Sequence, residues 1–199
     1  MDPRILVVGC GSIGRRHARV LREISASNLA VCDPVEAMRC AVQRDLGIVE
    51  GYAKYEEALR DRFEAVFVCT PPALHVPQAR LALEAGCDVF VEKPLSDRLE
   101  GVDELLNLAE RKQRLLMVGL CMRFHGGLMR VKQLLDSGTI GRLVALRSVL
   151  GVYLPDLRPG VDYRNTYIAQ PWGGVTLDYL HEIDMAQWMV GTQIGRAHV

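Results

Sequence analysis

The 199-residue sequence predicts an α/β protein in which a doubly wound parallel sheet comes first and a second, α+β domain begins near residue 120. Two observations predict this class. Short runs rich in valine and isoleucine alternate with segments of helical period, as they do in successive βα units. Beyond Gly119 the alternation stops, and a helix leads into a long apolar run, Leu143–Val152. We therefore expect domains at residues 1–120 and 121–199.

The elements of the first domain are predicted from these alternating segments. Strands are expected at Arg4–Val8, Asn28–Cys32, Ala65–Cys69, Asp88–Val91 and Leu115–Gly119, with a weaker candidate around Ile48. Helices are expected between them at Ile13–Ile24, Val35–Leu46, Leu74–Ala85 and Arg98–Arg111. Their apolar faces would cover both sides of the sheet.

The second domain is predicted to contain a helix at Leu128–Leu135, a strand at Leu143–Val152 and a helix at about Val175–Val190. A single strand does not make a stable sheet. We therefore expect the chain to be a truncated piece of a longer protein, with final residues that need not be native.

Charge and composition exclude several classes of protein. Lys and Arg together number 24, as do Asp and Glu, so no excess charge favours nucleic acid or an anionic membrane surface. The apolar run near the start is too short for a signal peptide or a membrane span, and we expect a cytoplasmic protein. The six cysteines form no CxxC pair. We interpret them as reduced core thiols in preference to disulfides or metal ligands, and we expect no metal.

A GxGxxG sequence, Gly9 to Gly14, directly follows the first strand and opens the first helix. In a Rossmann-type unit the first glycine permits a tight turn, the second admits the pyrophosphate, and the third lets the helix pack on the strand. Amides at the start of the helix then face the phosphates. We predict a dinucleotide site at Gly9, Gly11, Ser12, Ile13 and Gly14; glycines that serve only a turn are the alternative.

Asp33 ends the second strand nineteen residues after Gly14, where a carboxylate accepts hydrogen bonds from the adenosine ribose hydroxyls. A 2′-phosphate would meet this negative charge, so NAD is favoured over NADP. NADP stays open because Arg15, Arg16 or Arg39 would offset the charge of the phosphate. The alternative for Asp33 is a turn residue before a proline.

Thr70 and Pro71 follow the strand Ala65–Cys69 at the carboxyl edge of the sheet, where ligands lie in such folds. We predict that they contact the ribose or nicotinamide end of the cofactor. The alternative is that Thr70 caps the next helix. His75, near the start of that helix, is interpreted as an ordinary helix residue.

A further motif, Glu92-Lys93-Pro94, stands at the end of another strand. Together with the glycine loop and Thr70-Pro71-Pro72, it resembles the glucose-fructose oxidoreductase, inositol dehydrogenase and rhizopine catabolism (Gfo/Idh/MocA) family, and Gly173–Asp184 gives another match. The resemblance spans residues 4–191. It implies an NAD(P)-dependent oxidoreductase with an open, mostly antiparallel second sheet, whose first strand is Leu143–Val152. It also implies assembly as a homodimer or homotetramer.

The resemblance implies a role for each matching residue. Lys93 enters the active site, aimed by a cis peptide at Pro94, and together with Glu92 it also contacts the cofactor. His181 accepts the proton of the substrate hydroxyl, and Asp178 orients the His181 ring. Asp178 lies three residues before His181, where many relatives place the aspartate four before; both spacings keep the pair on one helical face.

Substrate contacts are predicted at Arg123, Tyr163, Arg164 and His181, with a sugar, a cyclitol or a related polyol as the small-molecule substrate. Domain-joining packing is the alternative for Arg123. Asp184 is expected to be a structural hydrogen-bonding residue.

The sequence thus predicts hydride transfer between nicotinamide and a carbinol carbon. Two alternatives stay open: a module that binds NAD(H) without catalysis, and a reductase of the same family acting on an imine or a conjugated double bond. A methyltransferase that uses a glycine loop would leave Glu92-Lys93-Pro94 unexplained. On its own, the chain is expected to expose apolar surface along Leu143–Val152 and to aggregate or stay inactive while still binding cofactor.

Overall fold

The computed structural model describes residues 2–24, 28–157, 160, 162, 164, 169, 177 and 179–191. The chain divides into two units, Met1–Gly119 and Leu120–Val199.

The first unit is built on a six-stranded sheet in which every pair of neighbouring strands runs parallel. Its strands are β1 (Ile5–Val8), β2 (Leu29–Cys32), β3 (Glu50–Tyr52), β4 (Ala65–Val68), β5 (Asp88–Val91) and β6 (Leu116–Val118). They lie in the order β3-β2-β1-β4-β5-β6. The order reverses between β1 and β4, and in open α/β sheets ligands bind beyond the carboxyl ends of the strands at this reversal. The predicted doubly wound parallel sheet is confirmed.

Helices cover both faces of this sheet. Among the described residues of this unit they are α1 (Ser12–Glu23), α2 (Glu36–Leu46), α3 (Tyr55–Ala58), α4 (His75–Glu84) and α5 (Val102–Lys112). α1 and α2 share one apolar core with Ile5 and Val7 of β1, whereas α3, α4 and α5 share the other with Leu6 and Val8. Successive strand residues therefore alternate between two buried faces, as expected for a central parallel strand.

Some predicted boundaries were wrong. The helix expected at Arg98–Arg111 begins only at Val102, because Gly101 has φ +77°, a left-handed conformation that an α-helix does not contain. The strand expected around Ile48 lies at Glu50–Tyr52. Two short elements were not predicted: α3 and a 3-10 turn at Pro72–Leu74.

The second unit is largely helical where it is described. It contains a 3-10 turn at Cys121–Phe124, α6 (Gly126–Asp136), α7 (Leu154–Leu157) and α8 (Leu180–Val190). The helices predicted at 128–135 and toward 190 are thus present. In neither unit do the described helices include one with the length and apolar character needed to cross a membrane.

The predicted strand Leu143–Val152 was wrong for this chain. Residues 141–153 have no regular secondary structure, and the side chains of Val144 and Val149 are 85% and 76% exposed. A strand is stabilised by its ladder of hydrogen bonds to a neighbour. No strand among the described residues of the second unit lies beside this segment.

The six cysteines all lie among the described residues and all are free. Those at the carboxyl edge of the sheet or packed in the core are buried: Cys10, Cys32, Cys69 and Cys87. Cys40 in the first unit and Cys121 in the second are exposed.

Candidate functional site

The glycine loop is held by close backbone contacts. Gly9 follows β1 with φ +92°, and its N–H donates to the carbonyl of Cys32 at 2.8 Å. A Cβ added at Gly14 would lie 1.8 Å from the carbonyl oxygen of Gly9, whereas one added at Gly11 would meet no atom within 4 Å. Gly14 is therefore required for helix α1 to pack on the loop, and Gly11 leaves open space at the start of that helix.

Asp33, at the carboxyl end of β2, is bound directly to this loop. Its Oδ2 accepts the backbone N–H of Cys10 at 2.7 Å, and its Oδ1 accepts that of Val35 at 2.8 Å. The residue is only 8% exposed. Asp33 thus serves the turn before α2, as the alternative interpretation held, and also places a carboxylate beside the glycine loop.

The charge of Asp33 also affects its surroundings. Burial, followed by the nearby Asp33 carboxylate, raises the pKa of the Cys10 thiol to about 12. Cys32 behaves in the same way, with burial and then Asp33 raising its pKa to about 12. Both thiols therefore stay protonated and unreactive at neutral pH.

Two of the arginines near Asp33 already have partners. Arg15 forms an ion pair with Asp45, with a 3.0 Å distance between Nη1 and Oδ2. Arg39 donates from Nη1 to the backbone carbonyl of Asp33 at 2.6 Å. Both guanidinium groups are thus engaged within the protein.

Thr70 follows β4, next to β1 in the sheet, and its side chain does not cap the next helix. Its hydroxyl donates to Oε1 of Gln78 at 2.6 Å, and the hydroxyl of Tyr55 donates to the backbone carbonyl of Gln78. Neither the 3-10 turn nor α4 has a side-chain capping hydrogen bond. Thr70 is therefore bound to the first turn of α4.

His75, the first residue of α4, is more than an ordinary helix residue. It is 1% exposed, and each ring nitrogen lies 2.7 Å from a backbone carbonyl oxygen, Nε2 from that of Thr70 and Nδ1 from that of Pro94. No periodicity in the sequence indicates this role. The only clue was a histidine directly after a Thr-Pro-Pro turn at the carboxyl edge of the sheet.

Glu92, at the end of β5, contacts α1. Its Oε1 lies 2.6 Å from Nε2 of His17, and its Oε2 accepts the backbone N–H of Lys93 at 3.0 Å. The His17 ring packs edge-on against Phe90, which stacks on Phe67. Burial acts to raise the pKa of Glu92, but the hydrogen bond and charge of His17, with smaller contributions from Lys93, leave the pKa below its usual value. The carboxylate is thus held charged between α1 and the start of the Lys93 loop.

His17 was not singled out from the sequence. It lies on α1 one turn after Gly14, beside the inward-facing Ala18 and Leu21. A histidine next to the buried stripe of a helix is a signal that would have found it. The peptide bond between Lys93 and Pro94 is cis, as the resemblance implied.

In the second unit, Arg123 and Asp184 form a two-pronged ion pair. Arg123 Nη2 lies 2.6 Å from Oδ1 of Asp184 and Nε lies 2.9 Å from Oδ2, and Asp184 is 7% exposed. This pair links α8 to the 3-10 turn at Cys121–Phe124, which is the structural role expected for Asp184. The hydrogen bond to Asp184 is the main cause that raises the pKa of Arg123.

His181 also lies on α8. Its Nε2 is 3.9 Å from the sulfur of Cys121, and its Nδ1 is buried with no hydrogen-bond partner among the described residues. A buried ring nitrogen without a partner is costly. The side chain that the resemblance pairs with His181, Asp178, lies outside the described residues.

The structure therefore brings one set of predicted residues together within the first unit. The carboxyl edge of its sheet carries the glycine loop, Asp33, Thr70, Glu92 and Lys93. Substrate contact by residues of the second unit stays a prediction: Arg164 is ion-paired with Asp162 at 2.9 Å, and Tyr163 lies outside the described residues.

A family model described as an oxidoreductase family with an NAD-binding Rossmann fold matches residues 3–120. The chain belongs to the Gfo/Idh/MocA oxidoreductase family. A second model of this family, its C-terminal domain, matches residues 128–199. The first unit is therefore the family's NAD-binding Rossmann fold, which confirms the resemblance drawn from the motifs.

Several members of the Gfo/Idh/MocA family are similar to this chain. Myo-inositol 2-dehydrogenase of Thermotoga maritima is 31% identical over 194 residues, which are 96% of this chain and 56% of that protein. The dTDP-3,4-didehydro-2,6-dideoxy-alpha-D-glucose 3-reductase of Saccharopolyspora spinosa is 35% identical over 179 residues, 88% of this chain and 52% of that protein. The chain spans about half the length of the curated relatives it matches.

A solved structure is also similar to this chain over most of its length. The scyllo-inositol dehydrogenase of Lactobacillus casei, crystallised with NAD(H) and scyllo-inositol, matches with a TM-score of 0.84 and 26% identity. The match covers 96% of this chain and 57% of that one.

Proposed function

We propose that this chain holds NAD for an oxidoreductase that transfers a hydride between the nicotinamide and a carbinol carbon of a sugar, a cyclitol or a related polyol. The observation that carries the proposal is the Asp33 carboxylate, which is fixed against the Cys10 N–H of an open glycine loop. Relatives named as inositol 2-dehydrogenases and as a deoxysugar 3-reductase support the substrate class and leave the direction open.

The residues present fit a dinucleotide. Gly11 has no side chain and no neighbour that would obstruct the approach of a pyrophosphate. The first-turn amides of α1, which begins at Ser12, have no acceptor within their own helix and suit phosphate oxygens. Each Asp33 oxygen accepts one backbone N–H and keeps acceptor capacity for a ribose hydroxyl.

The preference for NAD over NADP follows from the charges. A 2′-phosphate beside the Asp33 carboxylate would need a compensating cation. Arg15 and Arg39 are engaged with Asp45 and with the carbonyl of Asp33. Recruiting Arg39 would break its hydrogen bond to the carbonyl of Asp33, whereas the ribose hydroxyls of NAD need no cation, so they are the better partners.

The catalytic roles are proposed from the family motifs. When bound, the nicotinamide supplies the hydride acceptor or donor. Lys93 would donate a hydrogen bond to the substrate oxygen and so stabilise negative charge developing there. His181 would accept the hydroxyl proton on Nε2. Asp178 would accept the N–H of the buried Nδ1, which fixes the tautomer that leaves Nε2 as the base.

We propose a polyol or sugar held in part by Arg123, Tyr163 and Arg164, and a full-length homodimer or homotetramer. A reductase of an imine or a conjugated double bond would differ in requiring a proton donor, and Lys93 would then be the stronger candidate. A module that binds NAD(H) without catalysis would not need Lys93.

Titration of the chain with NADH and with NADPH, followed by nicotinamide fluorescence, tests the cofactor site. We expect micromolar NADH binding that weakens about 10-fold or more in Asp33→Asn, because an amide has a single acceptor oxygen and cannot hold the N–H groups of both Cys10 and Val35 as well as a ribose hydroxyl. The relative affinity for NADPH should rise, since the repelling charge is gone.

Asp88→Asn is the matched control. Asp88 also stands at a strand end and accepts a backbone N–H, that of Leu115, but at the opposite edge of the sheet. NADH affinity should be unchanged in this variant. A folded wild-type chain that binds neither cofactor would contradict the proposal. Chains that bind should then be screened for NAD reduction with inositols and sugars.

A further inference from the structure

His75 joins two loops that the sheet itself leaves apart. The backbone ladder between β4 and β5 ends with the N–H of Glu92 donating to the carbonyl of Val68. Beyond that point one strand continues into Thr70 and the other into the Lys93-Pro94 segment. The His75 ring lies between them, 2.7 Å from the carbonyl oxygens of both Thr70 and Pro94.

The chemistry of these contacts is restrictive. A carbonyl oxygen only accepts hydrogen bonds, and a neutral imidazole carries a single N–H. The ring therefore donates a hydrogen bond to at least one of the two carbonyls, and the tautomer decides which. His75 is 1% exposed, so water does not compete for its ring nitrogens.

Lys93 is therefore restrained on two sides. Its own backbone N–H is held by Glu92, which is paired with His17 on α1. The carbonyl of the next residue, Pro94, is held by His75 on α4. α1 and α4 pack on opposite faces of the sheet. Neither restraint fixes the Lys93 side chain directly, but together they fix the backbone from which it extends.

We propose that His75 is a positioning residue for Lys93. By bridging the carbonyls of Thr70 and Pro94, it sets the distance between the Thr70 turn and the Lys93 loop, and hence the direction in which the Lys93 amine is presented. The inference rests on the proposed function in one respect: it is that function which makes Lys93 a catalytic residue.

The chain is well suited to a spectroscopic test because it contains only four lysines: Lys54, Lys93, Lys112 and Lys132. Reductive methylation with 13C-formaldehyde keeps their charge and gives each dimethylamine an NMR signal, and Lys93→Arg assigns that of Lys93. Spectra are then compared for the wild-type chain, His75→Leu and His75→Gln. Circular dichroism and urea unfolding show whether each variant is folded.

The control is Leu83→Ala. Leu83 is fully buried in the same helix, but near its other end, and its truncation destabilises the core without touching either loop. The Lys93 signal should be unchanged in this variant.

In His75→Leu the Lys93 signal should move toward the signals of the exposed lysines, with its separation from them at least halved. His75→Gln keeps a donor for one carbonyl, so the shift should be smaller and in the same direction. A Lys93 signal at its wild-type position in a folded His75→Leu chain overturns the proposal. Should that variant not fold, an unchanged signal in folded His75→Gln overturns it.

Failure of the proposed function is measured separately. A wild-type chain that binds neither NADH nor NADPH overturns the cofactor proposal, whereas the dependence of the Lys93 signal on His75 is observed without any cofactor. A shifted Lys93 signal in that chain would still support the positioning role of His75.

Discussion

The two ends of the parallel sheet are both polar, but they are built differently. At the carboxyl ends of the strands, Asp33 and His75 are 8% and 1% exposed, and the Glu92 side chain is 14% exposed. Each of these three connects two different βα units. At the amino ends, Arg4 contacts Glu50 and Asp61 with side chains that are 29%, 47% and 48% exposed.

The buried polar residues of the carboxyl edge hold loops in place, whereas the exposed charges of the amino edge lie on the surface. An exposed ion pair contributes little, because water and neighbouring charges replace a lost partner. A buried polar group whose partner is removed stays unsatisfied, and the fold bears the full desolvation cost. Substitutions at the carboxyl edge should therefore cost more than comparable ones at the amino edge, and only the carboxyl edge should affect cofactor binding.

The largest effect is expected for Gly14→Ala. The added Cβ would lie 1.8 Å from the carbonyl oxygen of Gly9, and backbone cannot move aside as a flexible side chain can. We expect a loss of about 2–3 kcal/mol in the free energy of unfolding, together with the loss of NADH binding. Urea unfolding and fluorescence titration measure the two effects.

Gly11→Ala makes the same chemical change in open space and serves as the control. Gly11 has φ −67°, which alanine adopts without strain, and no atom lies within 4 Å of the new Cβ. The free energy of unfolding should be unchanged, whereas NADH affinity should fall by about 10-fold or more. Unaltered NADH affinity would show that the pyrophosphate does not approach at Gly11.

Glu92→Gln should lower the free energy of unfolding by an intermediate amount that depends on pH. Near neutral pH we expect a loss of about 1–2 kcal/mol in the free energy of unfolding, since a neutral amide replaces the carboxylate in the hydrogen bond to His17. The pKa of Glu92 in the folded state lies below its ordinary value. The contribution of the carboxylate is therefore present above the unfolded-state pKa and is lost as the pH falls through the folded-state pKa.

Urea unfolding of wild type and Glu92→Gln at pH 7 and at about pH 3 measures this dependence. Glu64→Gln is the matched control at the amino edge, where Glu64 accepts the backbone N–H of Arg4 in an exposed setting. A difference between wild type and Glu92→Gln that stays constant with pH would contradict the charged pair.

The smallest effect is expected for Arg4→Met. Methionine keeps an apolar chain over the Phe63 ring, on which the Arg4 guanidinium lies 4.5 Å from the centroid. The free energy of unfolding should fall by less than about 1 kcal/mol, and by still less at high salt. A loss above about 2 kcal/mol would remove the contrast between the two edges.

Local patterns were sufficient to predict the strands of the first unit and its glycine loop. The spacing of Gly9, Gly11 and Gly14 after a buried strand specifies one backbone geometry, and Asp33 follows at the separation that this geometry needs. Such features depend on a few consecutive residues. The strands of the first unit and the glycine loop lie close to where these patterns placed them.

His75 and Glu92 depend instead on contacts between distant segments. The partner of His75 at Pro94 lies nineteen residues away, and that of Glu92 at His17 lies seventy-five residues away. Neither pairing has a local signature. The strand predicted at Leu143–Val152 failed for a related reason, because an apolar run forms a strand only where a partner strand completes the ladder.

Two of the six thiols are exposed, so the protein can be labelled selectively at those positions. Four cysteines are buried, and burial is the main cause that raises the pKa of each. Maleimide reagents should therefore react first with Cys40 on α2 and with Cys121 in the 3-10 turn. One exposed thiol falls in each of the two units, so a pair of dyes on the natural sequence would record the distance between the units as NADH is added.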